Sequence, residues 1–329
     1  MRKAPADSRS EESVRTDPQR EHLMAVGQAV FVTMLWASSW VIIKFGLQEI
    51  SPLTFAGLRY SIASIILLLF VVLRRDSRRV LRAIDRHQSM RLIAYGFIFV
   101  TITQGAQFVG LQLLPAITVS LLLNLSPLIV LVLGILLLKE IPTRRQLVWF
   151  ALGVFGVVLY FTPLDLEGIQ VAGLVVVLVG VFANALSSIM GRAINRERKI
   201  PPLVVTSLSM TVGASLLLAV GLLVETPAAL SPLSWFYVLW LSIVNTALAF
   251  TLWHKVMQSL RAVDMSIINS LMLPQIVLLS LWFLGEMPTL LDWIGLFVLG
   301  LSVLLIQIIQ AGRKATMPSG PSPASSQKP

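Results

Sequence analysis

Apolar residues run along this chain in long, nearly unbroken blocks, not in the alternating or one-sided patterns of water-soluble elements. A membrane-spanning helix needs about 20 mainly apolar residues. Blocks of that kind fall at roughly 24–46, 53–73, 92–111, 116–138, 147–163, 171–191, 203–224, 233–253, 263–284 and 290–310. The third (Thr101, Thr103, Gln104, Gln107) and the eighth (Ser242, Asn245, Thr246) are the most polar. The pattern predicts an all-α integral membrane protein with ten transmembrane helices between two polar tails, 1–23 and 311–329. The second tail, with four prolines and four serines, is predicted to be disordered.

Composition agrees with a lipid solvent. The chain is 56% hydrophobic and 13% charged, against about 25% charged in soluble domains. Its net charge of +10 would suggest a nucleic-acid partner in a soluble protein, but the bases sit in short loops between apolar blocks. With the amino terminus placed in the cytoplasm, the two tails and the even-numbered loops hold 24 of the 26 Lys and Arg residues. The odd-numbered loops hold no base, but carry Glu49, Asp165, Glu167, Glu225 and Glu286. Positive charge stays on the cytoplasmic side, so both termini are predicted to be cytoplasmic. The arginine-rich loop 74–91 then reads as a topology signal and a contact for anionic lipid, not as a nucleic-acid patch. There is no cysteine, and His22, His87 and His254 are too far apart for a metal-ligand spacing. No metal, cofactor or catalytic residue is expected.

The chain also repeats itself. Residues 107–143 align without gaps to 253–289, with ten identities in 37 positions, an offset of 146. The polar and proline pairs carry the match: Gln112 with Gln258, Ser120 with Ser266, Glu140 with Glu286, Pro142 with Pro288, and Thr143 with Thr289. Five spans, an odd number, separate equivalent points, so the two Glu-x-Pro-Thr turns are predicted to face opposite sides. This divides the chain into two five-helix repeats, 24–163 and 171–310, of inverted orientation. Such inverted repeats characterise secondary transporters with a substrate site near mid-membrane.

Local motifs support that reading. They are Leu35-Trp36-Ala37-Ser38-Ser39, Leu58-Arg59-Tyr60, Pro127 with Leu138-Lys139-Glu140, Thr246-Ala247-Leu248-Ala249-Phe250 with Trp253, and Pro274 with Gly285-Glu286. In their order and spacing the chain resembles the EamA-type ten-helix transporters of the drug/metabolite transporter superfamily, over about residues 24–310. The resemblance implies a plasma-membrane exporter of amino acids, related metabolites or drugs. Lys139, where the family often has glycine, departs from the pattern.

Polar groups at membrane depth are costly and therefore informative. Pro127 and Pro274 lie mid-span in equivalent helices, and each frees the carbonyl four residues back, on Leu123 and Ser270. Both are candidate hinges. Asn124 shares the face of Pro127, and Asn269 and Ser270 share that of Pro274. The further substrate-binding candidates are Trp36, Gln104, Gln107, Asn184, Asn245 and Thr246. Set against these roles are plain helix kinks and the small-residue packing stripe Gly180, Asn184, Ser187, Ser188 and Gly191. Arg59, inside the second span, is expected to pair with Glu49, Asp264 to cap the ninth helix, and Lys44 to snorkel to the outer surface. No span carries an acid near its middle, which predicts facilitated or weakly coupled transport. The expected cargo is a small, mostly neutral metabolite, amino acid or amino-acid analogue. Multidrug efflux is the near alternative, and a membrane-embedded lipid-processing protein the alternative of another class.

Overall fold

The computed structural model describes residues 18–138, 141–162, 168–197, 199–226 and 229–316. Its long helices are α1 (Pro18–Gly46), α2 (Pro52–Leu73), α3 (Arg86–Leu113), α4 (Ala116–Leu123 and Ser126–Leu138), and α5 (Arg144–Tyr160). The rest are α6 (Gly168–Arg196), α7 (Pro202–Val224), α8 (Pro232–Met257), α9 (Ala262–Ser270 and Met272–Leu284), and α10 (Leu290–Thr316). Among the described residues, nine are long and apolar enough to cross a membrane; α5, at 17 residues, is the shorter one. The chain is a multi-pass membrane protein. The Lys139-Glu140 turn lies outside the described residues. Helix α10 runs to Thr316, past the predicted end at 310.

The helices pair in a regular exchange. α1 packs on α8 and α9, α6 on α3 and α4, α2 on α7, and α5 on α10. Close approach sets the last two contacts. A Cβ on Gly57 would lie 2.5 Å from the Leu218 Cα, and one on Gly221 2.7 Å from the Thr54 nitrogen, so α2 and α7 run antiparallel. On α5 and α10, a Cβ on Gly156 would meet the Gly295 carbonyl oxygen and the Leu299 nitrogen, each at 2.9 Å. Only glycine lets these two backbones touch.

The 146-residue offset of the sequence repeat recurs in the backbone. A π-helical turn starts at Phe97 in α3 and another at Ile243 in α8. Helix α4 breaks at Asn124 and Leu125, and α9 breaks at Leu271. Thr143 opens α5 through a capping box with Gln146. Thr289 opens α10 through a reciprocal pair with Asp292, at 2.7 and 3.2 Å.

At one end of the bundle, three carboxylates hold the starts of other helices. Glu225 accepts from the Leu53 and Thr54 amides, each at 2.8 Å, at the start of α2. Glu286 accepts from the Ala116 and Ile117 amides at 2.6 and 2.9 Å, at the start of α4. Such charge-assisted bonds satisfy orphan amides at the positive end of the helix dipole. Glu49 accepts from the Ser231 and Ser234 hydroxyls at 2.6 and 2.5 Å, which holds its carboxyl below the usual carboxylate range. Lys44 does not snorkel outward: its Nζ donates to the Leu114 carbonyl at 2.8 Å, at the end of α3.

At the other end, Arg91 pairs with Glu197 at 2.6 Å. A short helix, Arg75–Ala83, packs Val80 and Leu81 against the apolar cluster that holds Val71, Leu92 and Val204, leaving Arg75, Arg78, Arg79 and Arg82 exposed. Asp264 caps α9 as expected. Its carboxylate accepts from the Arg261 backbone amide at 3.3 Å and from the Arg261 guanidinium at 3.0 and 3.2 Å, which holds the Asp264 carboxyl low.

Candidate functional site

The expected ion pair between Arg59 and Glu49 is not formed. Glu49 is satisfied by hydroxyls at the end of the bundle, while Arg59 lies two turns into α2 and is only 4% exposed. Its Nε donates to the Thr246 hydroxyl of α8 at 3.0 Å. The guanidinium carbon sits 5.0 Å from the Tyr60 ring centroid and 5.9 Å from that of Phe108 on α3. These faces attract a cation but offer it no counter-charge. Among the described residues no carboxylate contacts Arg59.

A polar cluster surrounds it. The Tyr60 hydroxyl donates to Gln104 Oε1 at 2.7 Å, tying α2 to α3. Thr246 is fully buried and donates in turn to the Leu241 carbonyl at 2.8 Å, five residues back, a bond that the π turn permits. Its neighbour Asn245 is also fully buried. Its Nδ2 donates to the Leu35 carbonyl and, at 3.1 Å, to the Ser38 hydroxyl, both on α1. The Asn245 Oδ1 has no partner among the described residues. Trp36, next to Leu35 on α1, leans on Phe250 and Trp253 with ring centroids 5.6 and 5.0 Å apart. Helices α1, α2, α3 and α8 thus meet at one buried, incompletely satisfied polar centre, and both π turns lie on it. Gln107, one turn beyond Gln104, is half-buried.

The other sequence candidates form a second set. Ser126, beside Pro127, donates to the freed Leu123 carbonyl at 2.7 Å, and Asn184 of α6 donates to the Ser126 hydroxyl at 3.0 Å. Asn124 spends its amide on its own helix, at the Ser120 carbonyl, 2.9 Å away. Ser270 donates to Gln307 of α10 at 3.0 Å, while Asn269 and Pro274 are exposed. The structure therefore joins Gln104, Asn245 and Thr246 around a centre, and joins Asn184 to the α4 break. Among the described residues no hydrogen bond joins Asn124 to Asn269.

Arg59, Tyr60 and Phe108 escaped the sequence reading as site members. The available signal was an arginine inside an apolar span with no acid within helical reach; its bonding partner is 187 positions away.

Comparison with known proteins bears on this arrangement. The EamA-like transporter family matches residues 23–162 and again 171–308. The chain belongs to that family. It is accordingly a membrane transporter. It is similar to the uncharacterized transporter YyaM of Bacillus subtilis, 22% identical over 86% of this chain and 92% of the relative. The uncharacterized inner membrane transporter YedA of Escherichia coli is 24% identical over 88% and 92%. A probable amino-acid metabolite efflux pump of Salmonella typhimurium is 27% identical over 53% of this chain and 55% of its own length. A crystal structure with 17% identity has the same fold, with a TM-score of 0.61 over 88% of this chain and 99% of that one.

Proposed function

We propose that this protein is a secondary exporter of small metabolites, amino acids or their analogues, in the plasma (cell inner) membrane. It works by alternating access between two inverted five-helix halves, residues 24–163 and 171–310, with both termini in the cytoplasm. The observation that carries this reading is the buried polar centre where α1, α2 and α3 of one half meet α8 of the other. A ligand held there would touch both halves, and rocking one against the other would open it to either side. The antiparallel contacts of the equivalent helices α2 with α7, and α5 with α10, support the inverted arrangement. The name of the Salmonella relative supports export of amino-acid metabolites. The exposed arginines of the short helix suit an anionic lipid surface.

The two acids nearest the spans, Asp264 and Asp292, are engaged at the starts of α9 and α10. This fits facilitated or weakly coupled transport, with no proton-carrying carboxylate at mid-membrane.

Counterflow tests the reading. Liposomes holding purified protein and loaded with unlabelled amino acid are expected to accumulate the labelled compound transiently, and to leave labelled cationic dyes outside. Dye counterflow alone would favour multidrug efflux. No counterflow with any solute would overturn the transport mechanism.

A further inference from the structure

Among the described residues, Arg59 is the one charged group at the polar centre, and the protein leaves its chemistry incomplete. A guanidinium has five N–H donors in a planar fork. Here the protein takes one, from Nε to Thr246, and among the described residues Nη1 and Nη2 have no acceptor. Buried charges are ordinarily paired or coordinated. Tyr60 and Phe108 shelter the cation through their ring faces but leave its charge in place.

We infer that Arg59 is the binding group for a carboxylate on the cargo, engaged through the paired N–H groups of Nη1 and Nη2. This rests on the transport reading above and deepens it. The cargo carries a carboxylate, as an amino acid or N-acylated amino acid does, and a wholly neutral or cationic solute is disfavoured. Planar, two-point recognition of this kind is what arginine supplies and lysine does not. The unpartnered Asn245 Oδ1, on the residue next to Thr246, is an acceptor for an N–H donor on the same cargo. The inference also gives the absence of a coupling acid a physical sense. A cell interior is electrically negative, so the membrane potential drives a cargo of net negative charge, such as an N-acylated amino acid, outward without a proton; a zwitterionic amino acid gains nothing from it.

The test uses the full chain in lipid nanodiscs and two probes that differ only in the terminal group, a carboxylate against a neutral carboxamide: N-acetyl-leucine and N-acetyl-leucine amide. Thermal unfolding is followed as each is titrated. The carboxylate is expected to stabilise the wild-type protein saturably, with a half-effect concentration at least about ten-fold below that of the amide, about 1.4 kcal/mol of preference. R59Q should abolish the preference, R59K should retain part of it, and Lys44→Gln should leave it intact. Equal response to the two probes, no response to either, or a preference that survives in R59Q would overturn the inference. So would a preference lost in Lys44→Gln and kept in R59K. If R59Q does not fold, R59K and the wild-type comparison still decide.

Amino-acid counterflow in proteoliposomes reports the transport reading separately. Counterflow without carboxylate preference would sink the anion site alone. Absence of counterflow with any solute would sink transport.

Discussion

Replacing Gly156 by leucine is expected to lower stability by about 3 kcal/mol or more, at the upper end of what overpacking costs. The reason is that the obstacle is backbone. A Cβ there would meet the Gly295 carbonyl oxygen and the Leu299 nitrogen at 2.9 Å, and a Cβ on Gly295 would lie 2.6 Å from the Gly156 carbonyl oxygen. Neither strand of backbone can turn aside as a flexible side chain would, so α5 and α10 must separate. Close small-residue contact is also the main source of helix affinity in lipid, where apolar burial gives no advantage over the tails. Size-exclusion of detergent-solubilised protein with thermal challenge reads the effect. Gly27→Leu is the control, since a Cβ at Gly27 meets nothing within 4 Å. Equal thermal survival of Gly156→Leu and Gly27→Leu would mean that α5 and α10 do not depend on this contact.

Replacing Asn245 by leucine should act on function instead. Asn245 joins α8 to the Leu35 carbonyl and the Ser38 hydroxyl of α1, and it presents the unpartnered Oδ1. Leucine removes these bonds, each contributing about 0.5–1.5 kcal/mol net, while the Leu35 carbonyl keeps the Ser38 hydroxyl, which donates to it at 2.8 Å. It also removes the acceptor offered to a ligand. We expect an inserted, folded protein whose apparent affinity in counterflow is weaker by about ten-fold or more, since about 1.4 kcal/mol is a factor of ten. Ser187→Leu is the contrast. Ser187, 3% exposed on α6, bonds only within its own helix, at the Asn184 carbonyl 2.8 Å away. Its replacement should reduce folded yield and leave the affinity of the folded fraction unchanged. An Asn245→Leu protein with wild-type affinity would place the ligand away from α8.

The apolar helices, the breaks in α4 and α9 and the cap at Asp264 were legible in the sequence, because each depends on residues close along the chain. Length and apolarity mark a span, proline removes a local donor, and a capping residue acts three positions ahead. What failed was inference across the fold. Glu49 is expected to pair with Arg59 because it is near in sequence, yet two serine hydroxyls at the start of α8 satisfy it and Arg59 reaches Thr246 instead. The π turns at Phe97 and Ile243 were not legible either. In an apolar helix, one extra residue in a turn leaves the hydrophobic pattern almost unchanged. Yet those turns carry Gln104, Asn245 and Thr246. Beside the α4 break, Asn124 and Ser126 donate within α4, to the Ser120 and Leu123 carbonyls.

The opposite orientation of the two halves is the claim on which alternating access depends, and the chain's lack of cysteine makes it directly measurable. Single cysteines replacing Thr143 and Thr289, the equivalent first residues before α5 and α10, can be probed in intact cells with a membrane-impermeant thiol reagent. Thr289→Cys should label from outside, and Thr143→Cys only after the membrane is permeabilised. Labelling of both positions from the same side would contradict the inverted arrangement and the mechanism built on it.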